Sequence, residues 1–211
     1  MGGKPKAIVA VLVLALSAGM AYFLVVEKQR RDQRANMIAL LGDTTTHLRK
    51  ALSGAPAAEL VSRIDSNLKR AKAPREPALA MAAEQYIHGA REIVRRRSDA
   101  ERLAREAAMS RRALTMHMSV AHQRDTYWIR VASDLKKRVE RDHHDLEVSL
   151  KALTHLLDEL PATRKELAPH VDVALLLEEG ERRKAHERAE EAAKRASAEL
   201  EKVRRLGTRE R

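Results

Sequence analysis

Residues 78–160 read ALAMAAEQYIHGAREIVRRRSDAERLAREAAMSRRALTMHMSVAHQRDTYWIRVASDLKKRVERDHHDLEVSLKALTHLLDEL, with no proline and a single glycine, Gly89. One set of positions seven apart runs Leu79, Tyr86, Ile93, Ala100, Ala107, Leu114, Ala121, Trp128, Leu135, Asp142, Ser149 and Leu156. Its partner set runs Ala83, Ala90, Arg97, Ala104, Arg111, Met118, Asp125, Ala132, Val139, Leu146, Leu153 and Leu160. Such a repeat is the period of a left-handed coiled coil. It predicts an all-α fold, either an elongated coiled coil or an antiparallel helical bundle. The unbroken frame favours the rod, about 120 Å long at 1.5 Å per residue, because a turn normally shifts the phase. Arg97, Arg111, Asp125, Asp142 and Ser149 weaken the seam and mark where turns would fall. Ser98-Asp99-Ala100-Glu101 has the spacing of a capping box, and Asp125 or Thr126 could cap a further helix start.

Towards the C-terminus, Pro161 and Pro169 bracket a short connection, and a charged, Ala-rich return helix is expected from about Val171 to Leu206 within 161–211. Its seam is thin: Ala185, Ala189, Ala192, Ala196, Leu200 and Val203. A reversal at Pro161 would lay it against the Leu- and Val-rich residues before it, which makes 128–180 the expected packed core.

Towards the N-terminus, Ser53-Gly54-Ala55-Pro56 is a strong break with Pro56 placed to start a helix. Leu60, Val61, Ile64, Leu68 and Ala71 then draw one apolar stripe, ended by Pro74 and Pro77. Residues 27–75 thus read as a basic helical hairpin, and residues 76–160 as the long heptad-patterned helix.

Before the hairpin, the twenty residues Ala7–Val26 carry no charge. A helix of that length spans about 30 Å, the thickness of the hydrocarbon core. The segment reads as a single-pass signal anchor behind a short basic tail, residues 1–6. A cleaved leader is the rival reading, with Gly19-Met20-Ala21 as its small-residue site. Tyr22-Phe23-Leu24-Val25-Val26 continues the apolar run past that point and argues against it.

The net charge of +11 concentrates beside this segment: residues 27–75 hold 11 basic and 5 acidic side chains, against 15 and 14 over 76–160. Lys28, Arg30, Arg31 and Arg34 are accordingly expected to meet the anionic headgroups of a lipid bilayer. A nucleic-acid partner is not expected, since a basic stripe should then mark the distal body. Charge counting leans towards a cytoplasmic body on a bacterial inner membrane, a periplasmic one being the alternative. The bacterial assignment follows the Ala- and Arg-rich composition.

Chemistry is sparse. There is no cysteine, which excludes disulfides and thiolate sites. Glu140-Arg141-Asp142-His143 has the E-x-x-H spacing that di-iron bundles use in pairs; here it stands alone, beside His144. Glu140, His143 and His144 are the weak metal candidates, read as a solvated polar face, and no cofactor is expected. No nucleophile elbow or glycine-rich phosphate loop is present, so catalysis is not expected. Tyr127-Trp128 reads first as core, Trp128 falling on the seam, and second as an exposed anchor for a partner. The resulting expectation is a membrane-anchored coiled-coil scaffold or adaptor that associates with itself or with a protein partner through helices. The alternative is a helical-bundle sensory or ligand-binding module attached to the membrane.

Overall fold

The computed structural model describes residues 4–71, 76–119 and 126–206, with all their side chains except those of 4–16, Ala18 and Leu206. The described residues form α1 (Lys4–Ser53), α2 (Ala57–Arg70), α3 (Pro77–Ser119), α4 (Thr126–Leu167) and α5 (Glu179–Leu206), with one 3-10 turn at Val173–Leu175. They contain no strand.

The rod favoured by the sequence is corrected. The heptad stretch folds back on itself: α3 ends at Ser119 and α4 begins at Thr126. Leu114 meets Val139, Ala100 meets Leu150, and a methyl group on Gly89 would sit 3.9 Å from Leu160, so the two helices run antiparallel. The frame conceals this turn for a simple reason. Ser119 and Thr126 are seven positions apart, so the sequence repeat carries across the connection without a visible slip, although the face that α4 buries is offset from it. Ala121 and Asp125 fall within the connection, outside the described residues. Ser98 lies inside an uninterrupted α3, so the capping-box spacing there starts no helix.

Along α3 the first seam set is buried throughout, from Leu79, Tyr86 and Ile93 to Ala100, Ala107 and Leu114. On α4 the seam rotates by one position. Asp142 and Leu156 are only half-buried, while the following positions His143, Leu150 and Leu157 are buried beside Val139, Leu153 and Leu160; of the first set on this helix Ser149 alone stays buried. This rotation removes Asp142 from the core centre.

Helix α4 continues through Pro161 to Leu167, which corrects the expected reversal there. A proline inside a helix cannot donate to the carbonyl four residues earlier, which here is that of Leu157. The Arg182 Nη1 of α5 donates to that oxygen at 3.1 Å and to Asp158 Oδ1 at 3.0 Å. Glu179 accepts from the same guanidinium, 2.6 Å from Nη2, which holds the Glu179 carboxyl below its usual range. The reversal falls at 168–178 instead. There the Ala174 N–H donates to Asp172 Oδ1 at 3.0 Å and opens the 3-10 turn. The last helix therefore starts at Glu179 rather than near Val171.

The expected break before Pro56 is present, with Gly54 at φ +120°, a conformation that costs glycine nothing. Pro77 opens α3 as a first-turn proline. Helix α1 passes through Gly42 without interruption. Its residues Met37, Leu41, Leu48 and Ala51 join Leu60 and Ile64 of α2, Tyr86 and Ile93 of α3, and Leu157 and Leu176 in one large cluster. The core is therefore centred nearer the N-terminus than the expected 128–180. The segment 128–138 contributes no fully buried residue, because α1 and α2 pack against the opposite end of α3.

The expected span Ala7–Val26 lies within α1. Among the described residues no helix is long and apolar enough to cross a membrane. The side chains of 7–16 and of Ala18, about half of that segment, lie outside the described set.

Candidate functional site

Helices α3 and α5 both pack on α4, and alanines line the walls they turn towards each other, with Arg97 and Glu101 on one and Arg188, Glu191 and Arg195 on the other. Ala100 and Ala104 stand on α3; Ala185, Ala189, Ala192 and Ala196 stand on α5. Alanine fills little of the space between two helix axes 8–10 Å apart. A groove of about 640 Å³ remains, floored by Leu146, Leu150 and Leu153 of α4. This is within the size range of small-molecule sites, which are mostly apolar with a few polar groups.

The groove has two ends. At one, the α1–α2 turn brings Leu52, Ser53 and Gly54 alongside Arg97. Arg97 Nη2 pairs with Glu101 at 3.1 Å, while its buried Nη1 has no hydrogen-bond partner. At the other end Arg111 of α3 pairs with Glu199 of α5 at 2.8 Å, bridging the two walls. His143 lies on the floor near this strap. It is 7% exposed, and neither ring nitrogen has a hydrogen-bond partner. Burial pushes the imidazole below its ordinary value; Glu199 and Asp142 oppose that shift, and Arg111 adds to it. Glu199 is itself held below the usual carboxylate range, first by the hydrogen bond from Lys202 and then by Arg111. Beyond His143 a second hollow of about 500 Å³ continues along α3 past Ala108 to Met116.

A second polar feature sits in the main core. Tyr86 is fully buried, with its hydroxyl 2.9 Å from Thr45 Oγ1 and accepting from the Leu177 N–H at 3.0 Å. Burial raises its phenol above the ordinary value. Nearby, Asn67 Nδ2 donates to Asp43 Oδ2 at 2.8 Å and to Thr44 Oγ1 at 3.1 Å. Tyr86 with Thr45 and Leu177, and Asn67 with Asp43 and Thr44, bond across elements and so fix how α1, α2, α3 and the 168–178 connection meet. Thr44 and Thr45 escape a binary reading of the sequence, because a run of polar residues between Leu41 and Leu48 looks like a solvated face.

The residues singled out from the sequence are scattered. His143 faces the bundle interior, His144 is exposed, and Glu140 pairs with Lys136 at 3.8 Å. Among the described residues no three His, Cys, Asp or Glu side chains converge as metal ligands. Of the basic residues beyond Val26, Arg30 pairs with Glu76 at 2.9 Å, and Arg31 with Glu27 at 3.2 Å. Arg34 donates to the His170 carbonyl at 3.0 Å. Arg30 and Arg34 thus tie the helix to other parts of its own chain, while Arg31 pairs within α1. Tyr127 is 74% exposed, whereas Trp128 is half-buried and stacks on His117 at 4.9 Å.

Sequence reasoning missed the groove itself. The signal was available in two facing alanine stripes, but it becomes a site only once α3 and α5 are known to flank the same helix. No known protein family, no curated protein and no solved structure matches this chain.

Proposed function

We propose that the chain is a membrane-tethered, non-catalytic helical-bundle binding module. The observation that carries this reading is the contrast within α1. Tyr22, Phe23, Leu24 and Val25 are 55–72% exposed, whereas Leu41 and Leu48 of the same helix are fully buried. Leaving several large apolar side chains in water forfeits about 1.5–3 kcal/mol each. An apolar surroundings for Ala7–Val26 removes that penalty, and a bilayer supplies one. Because α1 then runs unbroken into the core, the bundle would be held against the membrane through its own framework. A binding module is favoured over a self-associating coiled coil because the α3 seam, Leu79 to Leu114, is already buried within the chain.

The test is extraction of full-length protein from cell membranes at alkaline pH, together with its intact mass. The reading expects the uncut chain to stay in the membrane pellet and the variant Leu12→Arg/Leu16→Arg to be released. Uncut wild-type protein in the supernatant, or a mass lacking residues before Tyr22, would overturn it. A C-terminal reporter fusion then assigns the side of the membrane, for which the flanking charge favours the cytoplasm.

The scaffold or adaptor reading keeps one supporting observation. At the far end of the α3–α4 hairpin, Met116, Tyr127 and Ile129 are 70%, 74% and 57% exposed. A photo-crosslinking residue at Tyr127 would report a protein partner there, and an absence of crosslinks in cells would count against it.

A further inference from the structure

We propose that the groove between α3 and α5 binds a single-chain amphiphile, a long-chain carboxylic acid, with its hydrocarbon along the alanine walls and its head at His143. The site does not depend on the membrane tether, since every residue that forms it lies beyond Val26.

Shape selects the class of ligand. The compartment runs from the α1–α2 turn to His143, and the ten residues from Leu153 back to His143 span about 15 Å of helix. A partner helix is about 10–12 Å across with its side chains. Laid lengthwise through both hollows, such a helix would have to break the 2.8 Å Arg111–Glu199 strap. A single hydrocarbon chain is narrow enough to lie between His143 and the α1–α2 turn without crossing the strap; the Leu floor and Ala walls give it apolar contact, while Glu101, Arg188, Glu191 and Arg195 also line the groove.

Chemistry selects the head. His143 is more than nine-tenths buried and lines both hollows, with two ring nitrogens that lack hydrogen-bond partners. Burying a hydrogen-bonding group without a partner is costly, and a ligand that supplies the partner recovers that loss. A carboxyl oxygen accepts from the imidazole N–H. The charges acting on His143 are led by Glu199, with Arg111 opposing it and Asp142 adding to it, so the head is taken up as the uncharged, protonated carboxylic acid. Removing the carboxyl oxygens from the ligand should therefore weaken binding without abolishing the apolar contacts.

The experiment uses the full chain in lipid nanodiscs and a hexadecanoic acid carrying a mid-chain diazirine, with crosslinked peptides mapped by mass spectrometry. Labelling is expected on residues 97–104, 146–153 and 185–196, displaced by unlabelled hexadecanoic acid and less well by hexadecane. Ala192→Trp, which fills the groove from the α5 wall, should lower this labelling about tenfold, the effect of excluding about two methylenes from contact. Ala104→Phe fills it from the opposite wall and should do the same, so a folding defect in either variant leaves the other to decide. His143→Leu should weaken competition by the acid while leaving competition by hexadecane unchanged. Labelling confined to residues 7–26 would support the tether and overturn the groove site. Groove labelling that neither filling variant reduces would also overturn it.

Discussion

At the end of the bundle where α1 and α2 join, α3 turns Leu79, Tyr86 and Ile93 inward, against Leu41, Leu48, Ile64, Leu157 and Leu176, all fully buried. At the other end the same seam of α3 offers Ala100, Ala107 and Leu114, with Leu150, Val139 and Val203 as the larger apolar residues clustered with them. One heptad frame therefore builds two different interiors. The first is filled by large side chains from α1 to α4 and the 168–178 connection, and it pairs the buried Tyr86 hydroxyl and the Asn67 amide. The second rests on three helices, leaves a groove, and encloses His143 without partners. The lesson is that periodicity sets which face is inward, whereas side-chain volume sets whether that inward face closes.

The comparison breaks most visibly under truncation. Leu157→Ala in the filled end should cost about 4 kcal/mol, and Leu114→Ala in the open end about 2 kcal/mol, because Leu114 sits in a small cluster with Val139 and Val203 that can relax more readily. Urea unfolding of the two variants would show it, and equal losses would contradict the distinction. Tyr86→Phe keeps the ring and strands Thr45 Oγ1 and the Leu177 N–H, for an expected loss of about 2 kcal/mol; a neutral result would mean that the hydroxyl network does not hold the 168–178 connection. Arg182→Ala should cost about 1.5 kcal/mol by leaving the Leu157 carbonyl orphaned beside Pro161. In a Pro161→Ala background, where a helical N–H is restored to that carbonyl, the Arg182 effect should shrink. A double-mutant cycle measures the coupling, and zero coupling would refute the link.

The smallest effect concerns His143. Its folded pKa lies below the unfolded value of about 6.5, so the unfolded chain binds more protons in that range. Stability is then fully present above about pH 6.5 and is lost as pH falls below it towards the folded value. Glu199 and Asp142, facing the ring from α5 and α4, soften this loss, while Arg111 on α3 sharpens it. His143→Leu should unfold with a flatter pH dependence between about pH 5 and 7, and should be no less stable than wild type at the acid end. An unchanged pH profile in the variant would show that the ring is solvated.

Much of the fold was legible in the sequence. The α2 stripe, the break before Pro56 and the thin α5 seam all appear as expected, because each rests on local spacing. What was hidden depends on partners distant in sequence. The α3–α4 turn left no visible slip in the sequence repeat. Pro161 reads as a breaker until Arg182, twenty-one residues later, supplies the missing donor. Met37, Leu41 and Leu48 were available as a stripe, but nothing local says that α1 turns it onto α3 rather than towards solvent. His143 was visible as half of a metal motif, and only its burial without partners gives it another meaning.

Hydrogen–deuterium exchange of the full chain, read by peptide, tests the difference between the two interiors most directly. Residues 37–51, 79–94 and 153–167 are expected to exchange slowest and as one unit. Residues 107–119, 132–146 and 193–206 should open locally and exchange at least about tenfold faster, equivalent to about 1.4 kcal/mol. Protection that is uniform from end to end, or greatest around His143, would contradict that difference.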